Sequence, residues 1–120
     1  MADKSSNTNA RRALPDDPLA FIRECVRERR VIWTYHVNVR MKGRYISRQM
    51  ILDFVDTYEI IEAYPDDKYL PSYLACARRG TDLFHVLFGL DVRNSHVRVI
   101  TSYRPDPGEW DDTLTKRLRP

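Results

Sequence analysis

The chain predicts an α+β fold in which two or three N-terminal helices lie on one face of a four-stranded antiparallel meander, with a short helix closing the C-terminus. Three observations carry this expectation. Apolar residues recur at helical spacing over residues 18–30 and again over 51–58. Four runs of β-forming residues follow in succession, at 59–64, 72–78, 83–90 and 97–103. The links between them are short and rich in turn formers, which suits strands pairing with their sequence neighbours while the preceding helices cover one face.

Length and composition bound the answer. At 120 residues, 42% hydrophobic and 31% charged, the chain suits one soluble globular domain at 15–120, preceded by a polar, flexible tail at 1–14. No apolar run approaches the ~20 residues that span a bilayer. The first residues lack the apolar centre of a signal peptide, so a cytoplasmic protein with no membrane partner is expected. Cys25 and Cys76 have no CxxC spacing and read as free, buried residues of a reducing compartment. The scattered His and Cys residues offer no metal-ligand spacing, and no cofactor motif is present. Net charge is +3, unevenly spread: residues 1–50 hold eleven Lys/Arg against five Asp/Glu, whereas 51–72 hold one against six. Arginine supplies most of the positive charge beyond the tail, and its planar fork suits phosphate.

The elements justify themselves in order. Asp16-Asp17-Pro18 places a capping acid before a proline at the first helical position, with Leu19, Ile22, Cys25 and Val26 forming the stripe of a helix over 18–30. Val31-Ile32-Trp33 either extends that helix or forms a brief strand. Thr34 can cap a second helix from Tyr35 to Lys42, ended by Gly43, with His36 and Arg40 four apart on one face. Ser47 caps a third helix, with Ile46 stapled onto Ile51, and Ile51, Phe54, Val55 and Tyr58 as its core face. Residues 109–118 predict a last helix, docked by Trp110 and Leu114.

The stretch from Leu83 to Pro107 is the centre of the fold. Asp91 to Ser95 turns two β-runs into a hairpin. Alternation puts Phe84, Val86, Phe88 and Leu90 on a buried face and His85 on the opposite, open one. There His85 is either a hydrogen-bonded sheet histidine or a catalytic or ligand-binding one. Whether Tyr103 shares its face depends on the register, because a one-residue slip reverses the answer. His96, beside the turn, is expected to be bland.

Several ordered motifs resemble the bacterial domain-of-unknown-function family 4258. They are His36-x-x-x-Arg40-Met41, the Ile46-Ser47 helix start, Glu59-Ile60-Ile61-Glu62-Ala63-Tyr64-Pro65-Asp66-Asp67, Pro71-Ser72-Tyr73-Leu74, Leu83-Phe84-His85-Val86 and Ile100-Thr101-Ser102-Tyr103-Arg104-Pro105. The resemblance runs over about residues 35–110. That family looks related to the RelE/ParE-like toxins of toxin–antitoxin pairs, small helix-plus-sheet proteins, many of which cleave mRNA and are blocked by a bound antitoxin. The resemblance therefore implies a metal-independent endoribonuclease with RNA as substrate and an antitoxin protein as partner.

RNA carries its own nucleophile, the 2′-hydroxyl, so such an enzyme needs a base, an acid and cations for the developing phosphorane charge. His85 or His36 is the expected base, with the other histidine or Tyr103 as acid and Arg40 with Arg104 on the phosphate. Tyr103 is alternatively a stacking platform for an unpaired base. The competing expectation is a non-catalytic module that holds a protein or nucleic acid on the same face. A metal-dependent nuclease fits less well, because the acids cluster in a surface-like stretch, and no helix-turn-helix pattern supports a DNA-binding regulator.

Overall fold

The computed structural model describes residues 13–34 and 46–119. Helix α1 (Pro18–Arg27) opens where Asp17 accepts a hydrogen bond from the Ala20 amide at 3.1 Å, with proline in the first turn where no intrahelical donor is needed. It stops at Arg29, whose left-handed φ of 62° lets the Arg30 amide reach back to the Cys25 carbonyl at 2.8 Å. Strand β1 (Val31–Trp33) follows. Helix α2 (Arg48–Asp53) starts at Ser47, whose hydroxyl accepts from the Met50 amide at 3.0 Å, and continues into a 3₁₀ turn at Val55–Thr57.

Strands β2 (Glu59–Tyr64), β3 (Ser72–Arg79), β4 (Asp82–Asp91) and β5 (His96–Tyr103) then form an antiparallel meander. The sheet order is β1-β5-β4-β3-β2, so the chain crosses the whole sheet between β1 and β2 before the meander returns to β1. Phe84, Val86, Phe88 and Leu90 are each 0% exposed. They pack with Tyr73, Ala75, Val97 and Val99 against Ile22 and Val26 of α1, Ile51 of α2, and Phe54 and Tyr58. Rings meet at 5.0 Å for Phe54 with Phe84 and 5.4 Å for Tyr58 with Phe88. The buried Tyr58 hydroxyl donates to the Ile51 carbonyl at 2.5 Å, so the core contains no stranded phenol there. Arg23 ties α1 to the 3₁₀ turn through the carbonyls of Asp56 and Tyr58.

The α+β class holds, with corrections in detail. The sheet has five strands and is mixed, because β1 pairs in parallel with β5, Val31 opposite Val97 and Trp33 opposite Val99. Three residues are too few to show a period, and their pairing is decided by a distant strand. Two α-helices stand among the described residues, and the expected helix over 35–42 lies outside them. The expected helix over 47–58 breaks after Phe54. There the Thr57 amide bonds the Phe54 carbonyl, and the Thr57 hydroxyl serves the Arg78 amide of β3 at 3.1 Å.

The C-terminal helix does not form. Asp111 accepts from the Thr113 hydroxyl and from the amides of Thr115 and Lys116, and Leu114 takes a left-handed φ of 61°. These side chains offer the backbone a turn in place of a helix. Residues 105–119 instead make a doubled-back strap, with Trp110 bridged to Arg117 and the Leu118 amide bonded to the Glu109 carbonyl at 3.0 Å. Among the described residues no helix is long and apolar enough to cross a membrane.

Because the Phe88 ring is fully buried between β4 and Tyr58, Phe88→Ala is expected to cost about 3 to 5 kcal/mol, read as a lower denaturation midpoint in urea. A loss of less than about 1 kcal/mol would contradict this packing.

Candidate functional site

The face of the sheet away from the helices carries the chemistry. His85 of β4 lies directly across from Tyr103 of β5 and Cys76 of β3, which settles the register: Tyr103 shares the histidine's face. Alternation along β3 brings Arg78 to the same face, and Glu62 of β2 lies opposite Leu74, two residues along β3 from Cys76.

This face is not open at the His85 end. His85 is 0% exposed because the strap lies over it: the Trp110 ring meets the imidazole edge-on at 4.6 Å. The Leu114 carbonyl sits 2.7 Å from Nε2 and the Tyr103 hydroxyl 3.2 Å from Nδ1. A carbonyl can only accept, so Nε2 carries the proton; Nδ1 then accepts from the Tyr103 hydroxyl. Burial lowers the His85 pKa, which favours this neutral form, and raises that of Tyr103 to about 12. The Ser102 hydroxyl bonds the His85 carbonyl at 2.8 Å, so the backbone beneath the ring is also held.

The strap is fastened at its edges. Arg117 makes a two-point bond to Glu62, at 2.7 and 3.2 Å, while its guanidinium covers the Trp110 ring at 4.5 Å. Burial alone would raise the Glu62 pKa, but hydrogen bonds from Arg117 and Tyr64 outweigh it and hold the carboxyl below its usual range. Arg78 donates to the Thr113 carbonyl at 3.0 Å.

Of the residues singled out in the sequence, His85 and Tyr103 are brought together. Arg104 directly follows Tyr103, and its guanidinium is engaged by Asp82 at 2.5 Å and by the Leu83 carbonyl at 3.3 Å. His36 and Arg40 lie outside the described residues. His96 is half-buried and faces Asp91 at 3.8 Å. Cys25 and Cys76 are free and buried. Among the described residues no three His, Cys, Asp or Glu side chains cluster as metal ligands would.

Sequence reasoning named Trp110 only as a docking residue of a C-terminal helix, and gave Glu62, Arg117 and the Leu114 carbonyl no role at the site. Glu62 was visible as an acid inside a β-forming run, and Trp110 as a large aromatic in a polar tail. A backbone carbonyl carries no signal at all. Chemically, the closed arrangement is a proton-sharing pair with both ring nitrogens occupied, so no lone pair faces a substrate until the strap moves.

The buried neutral imidazole sets a pH dependence. Its folded pKa lies below the unfolded value of about 6.5, so the unfolded chain binds the extra proton, and stability is lost as pH falls through that value. Urea unfolding at pH 7.5 and 5.5 should show the native chain losing up to about 1.4 kcal/mol per pH unit in this window. His85→Leu should be flatter by the same slope; an equal slope in both would contradict the neutral buried form.

No curated protein and no solved structure gives a significant match to the chain. A family model does: it matches residues 33–104, from the end of β1 to the residue after Tyr103, and stops where the strap begins. That span is more than half of the chain, which therefore belongs to the family described as domain of unknown function DUF4258.

Proposed function

We propose that the chain is a toxin-like, metal-independent endoribonuclease that acts on single-stranded RNA once the C-terminal strap leaves His85 and Tyr103. The observation that carries this reading is the His85–Tyr103 pair, a neutral imidazole bonded to a phenol at 3.2 Å on a sheet face roofed by the strap. Lifting residues 110–117 releases Nε2 from the Leu114 carbonyl and frees Arg78 from Thr113, on the same face.

The imidazole then takes up its other tautomer, with Nδ1–H donated to the Tyr103 oxygen, and Nε2 removes the proton of the RNA 2′-hydroxyl. The 2′-oxygen bonds to phosphorus, the bond to the 5′-oxygen breaks, and that oxygen takes a proton from Tyr103 or His36. Products are a 2′,3′-cyclic phosphate and a 5′-hydroxyl. Arg40 and Arg104, the latter ion-paired with Asp82 at a partly exposed site, neutralise the phosphate, and Arg78 joins them once Thr113 releases it. A protein antitoxin is the partner that would hold such an activity in check.

A second reading, a non-catalytic module that binds RNA or protein, is favoured by one specific observation. His85 is fully buried with both nitrogens satisfied, as a histidine that only fastens the strap would be.

Incubation of single-stranded RNA with excess chelator separates the two. Under the enzymatic reading, the wild-type chain leaves cyclic-phosphate ends, and Trp110→Ala, which loosens the roof, is faster by roughly tenfold. His85→Ala, with its fold verified by circular dichroism, should lose at least about 100-fold. RNA bound without turnover by both the wild type and Trp110→Ala would establish the binding module instead.

A further inference from the structure

Further along the same sheet face, past Leu87, lies a cleft of about 540 Å³ that the His85 site does not use. Leu87 of β4, Ile100 at the β4–β5 bulge and Leu70 from the β2–β3 loop form its apolar walls. Gly89 allows the walls to close: a Cβ there would stand 3.2 Å from the Ile100 side chain and 3.4 Å from that of Leu70. At the mouth stands Tyr69, 84% exposed, with the Lys68 ammonium 5.4 Å from its ring centre. The polar rim consists of Arg98, which is exposed, the Thr34 hydroxyl, which donates to the Ile100 carbonyl at 3.0 Å, and the carboxylates of Asp67 and Asp91. Asp67 accepts from the Ser72 hydroxyl at 2.5 Å, and the two Asp91 oxygens accept from the Asn94 amide and side chain at 3.2 and 2.9 Å, with His96 at 3.8 Å, so each Asp91 oxygen offers a ligand its second lone pair.

The volume falls within the range of small-molecule sites and exceeds what one planar heterocycle occupies. The walls select a flat, uncharged ring, and the exposed tyrosine offers a surface on which a base stacks. The rim narrows the choice. A carboxylate only accepts, so the ring edge facing it must donate, whereas a guanidinium only donates and needs acceptors. Among the four RNA bases, guanine alone presents two adjacent donors, N1–H and N2–H, on one edge and two acceptors, O6 and N7, on another. Adenine and cytosine present a single amino group, and uracil a single ring N–H.

We propose that this cleft is a guanine-binding subsite for an unpaired RNA nucleotide, with Asp91 reading the donor edge, Arg98 the acceptor edge and Tyr69 stacking on the ring. The inference rests on the RNA-directed reading above but not on catalysis. Leu87 is two residues from His85 on the same face of β4, so the cleft adjoins the His85 end of that face.

Titration of the full chain with GMP, AMP, CMP and UMP, followed by methyl resonances of Leu70, Leu87 and Ile100, tests this. GMP should shift these methyls and bind at least fivefold tighter than UMP. Arg98→Gln should weaken GMP by roughly tenfold while leaving the apolar walls in place. Asp91→Asn should erase most of the preference for GMP over UMP, its fold checked by the unchanged methyl spectrum of the free protein. The proposal is overturned if GMP binds no tighter than UMP, if Arg98→Gln binds GMP unchanged, or if the shifts fall away from these methyls. Guanine selectivity without RNA cleavage would sink the catalytic reading alone, and cleavage without guanine selectivity would sink the subsite alone.

Discussion

The hydrogen bond from His85 Nε2 to the Leu114 carbonyl, 2.7 Å long, is the contact on which the strap and the sheet depend jointly. It fixes the tautomer of the imidazole and thereby the direction of the Tyr103 hydroxyl, and it holds the tip of a segment with no helix of its own. A buried imidazole without that acceptor would carry an unpaired N–H, which costs about 1 to 3 kcal/mol. The two partners therefore stabilise each other: the strap keeps the ring dry, and the ring satisfies the strap's backbone.

Two layers of unequal strength result. On the helix side, the core of β4 is a contiguous aromatic and aliphatic cluster, with Phe84, Val86, Phe88 and Leu90 all out of contact with water. On the other side, the cover is one tryptophan, one two-point ion pair at a partly exposed edge and a few backbone bonds. Ion pairs at such edges contribute about 1 kcal/mol or less. On the proposed reading, such a cover is expected to open at lower free energy than the core unfolds and so to gate the His85–Tyr103 pair.

What the residues disclosed in advance follows from where physics is local. The Phe84 to Leu90 alternation, the Asp17 and Ser47 caps and the β2-to-β5 meander were legible because strand period, helix capping and turn chemistry act over a few residues. Strand β1 was legible only as one of two options, since Val31–Trp33 is decided as a strand by docking beside β5, more than sixty residues away in sequence. The C-terminal helix misled for a related reason: Trp110 and Leu114 have helical spacing, but Asp111, Thr113 and Thr115 bond among themselves and reverse the chain. At the site, His85 and Tyr103 could be named from residue type, and their shared face needed the bulge between Leu87 and Phe88 to be known. The cover could not be named, because its key acceptor is main chain.

The separability of the strap from the sheet is the claim on which gating rests, and native-state hydrogen exchange measures it directly. The Asp111 and Leu118 amides, bonded within the strap, should exchange at substantially lower opening free energy than the amides of β4, with little denaturant dependence. If those amides instead exchange only through global unfolding, at the same free energy and denaturant slope as β4, the strap is an integral layer of the fold and the gated site does not exist.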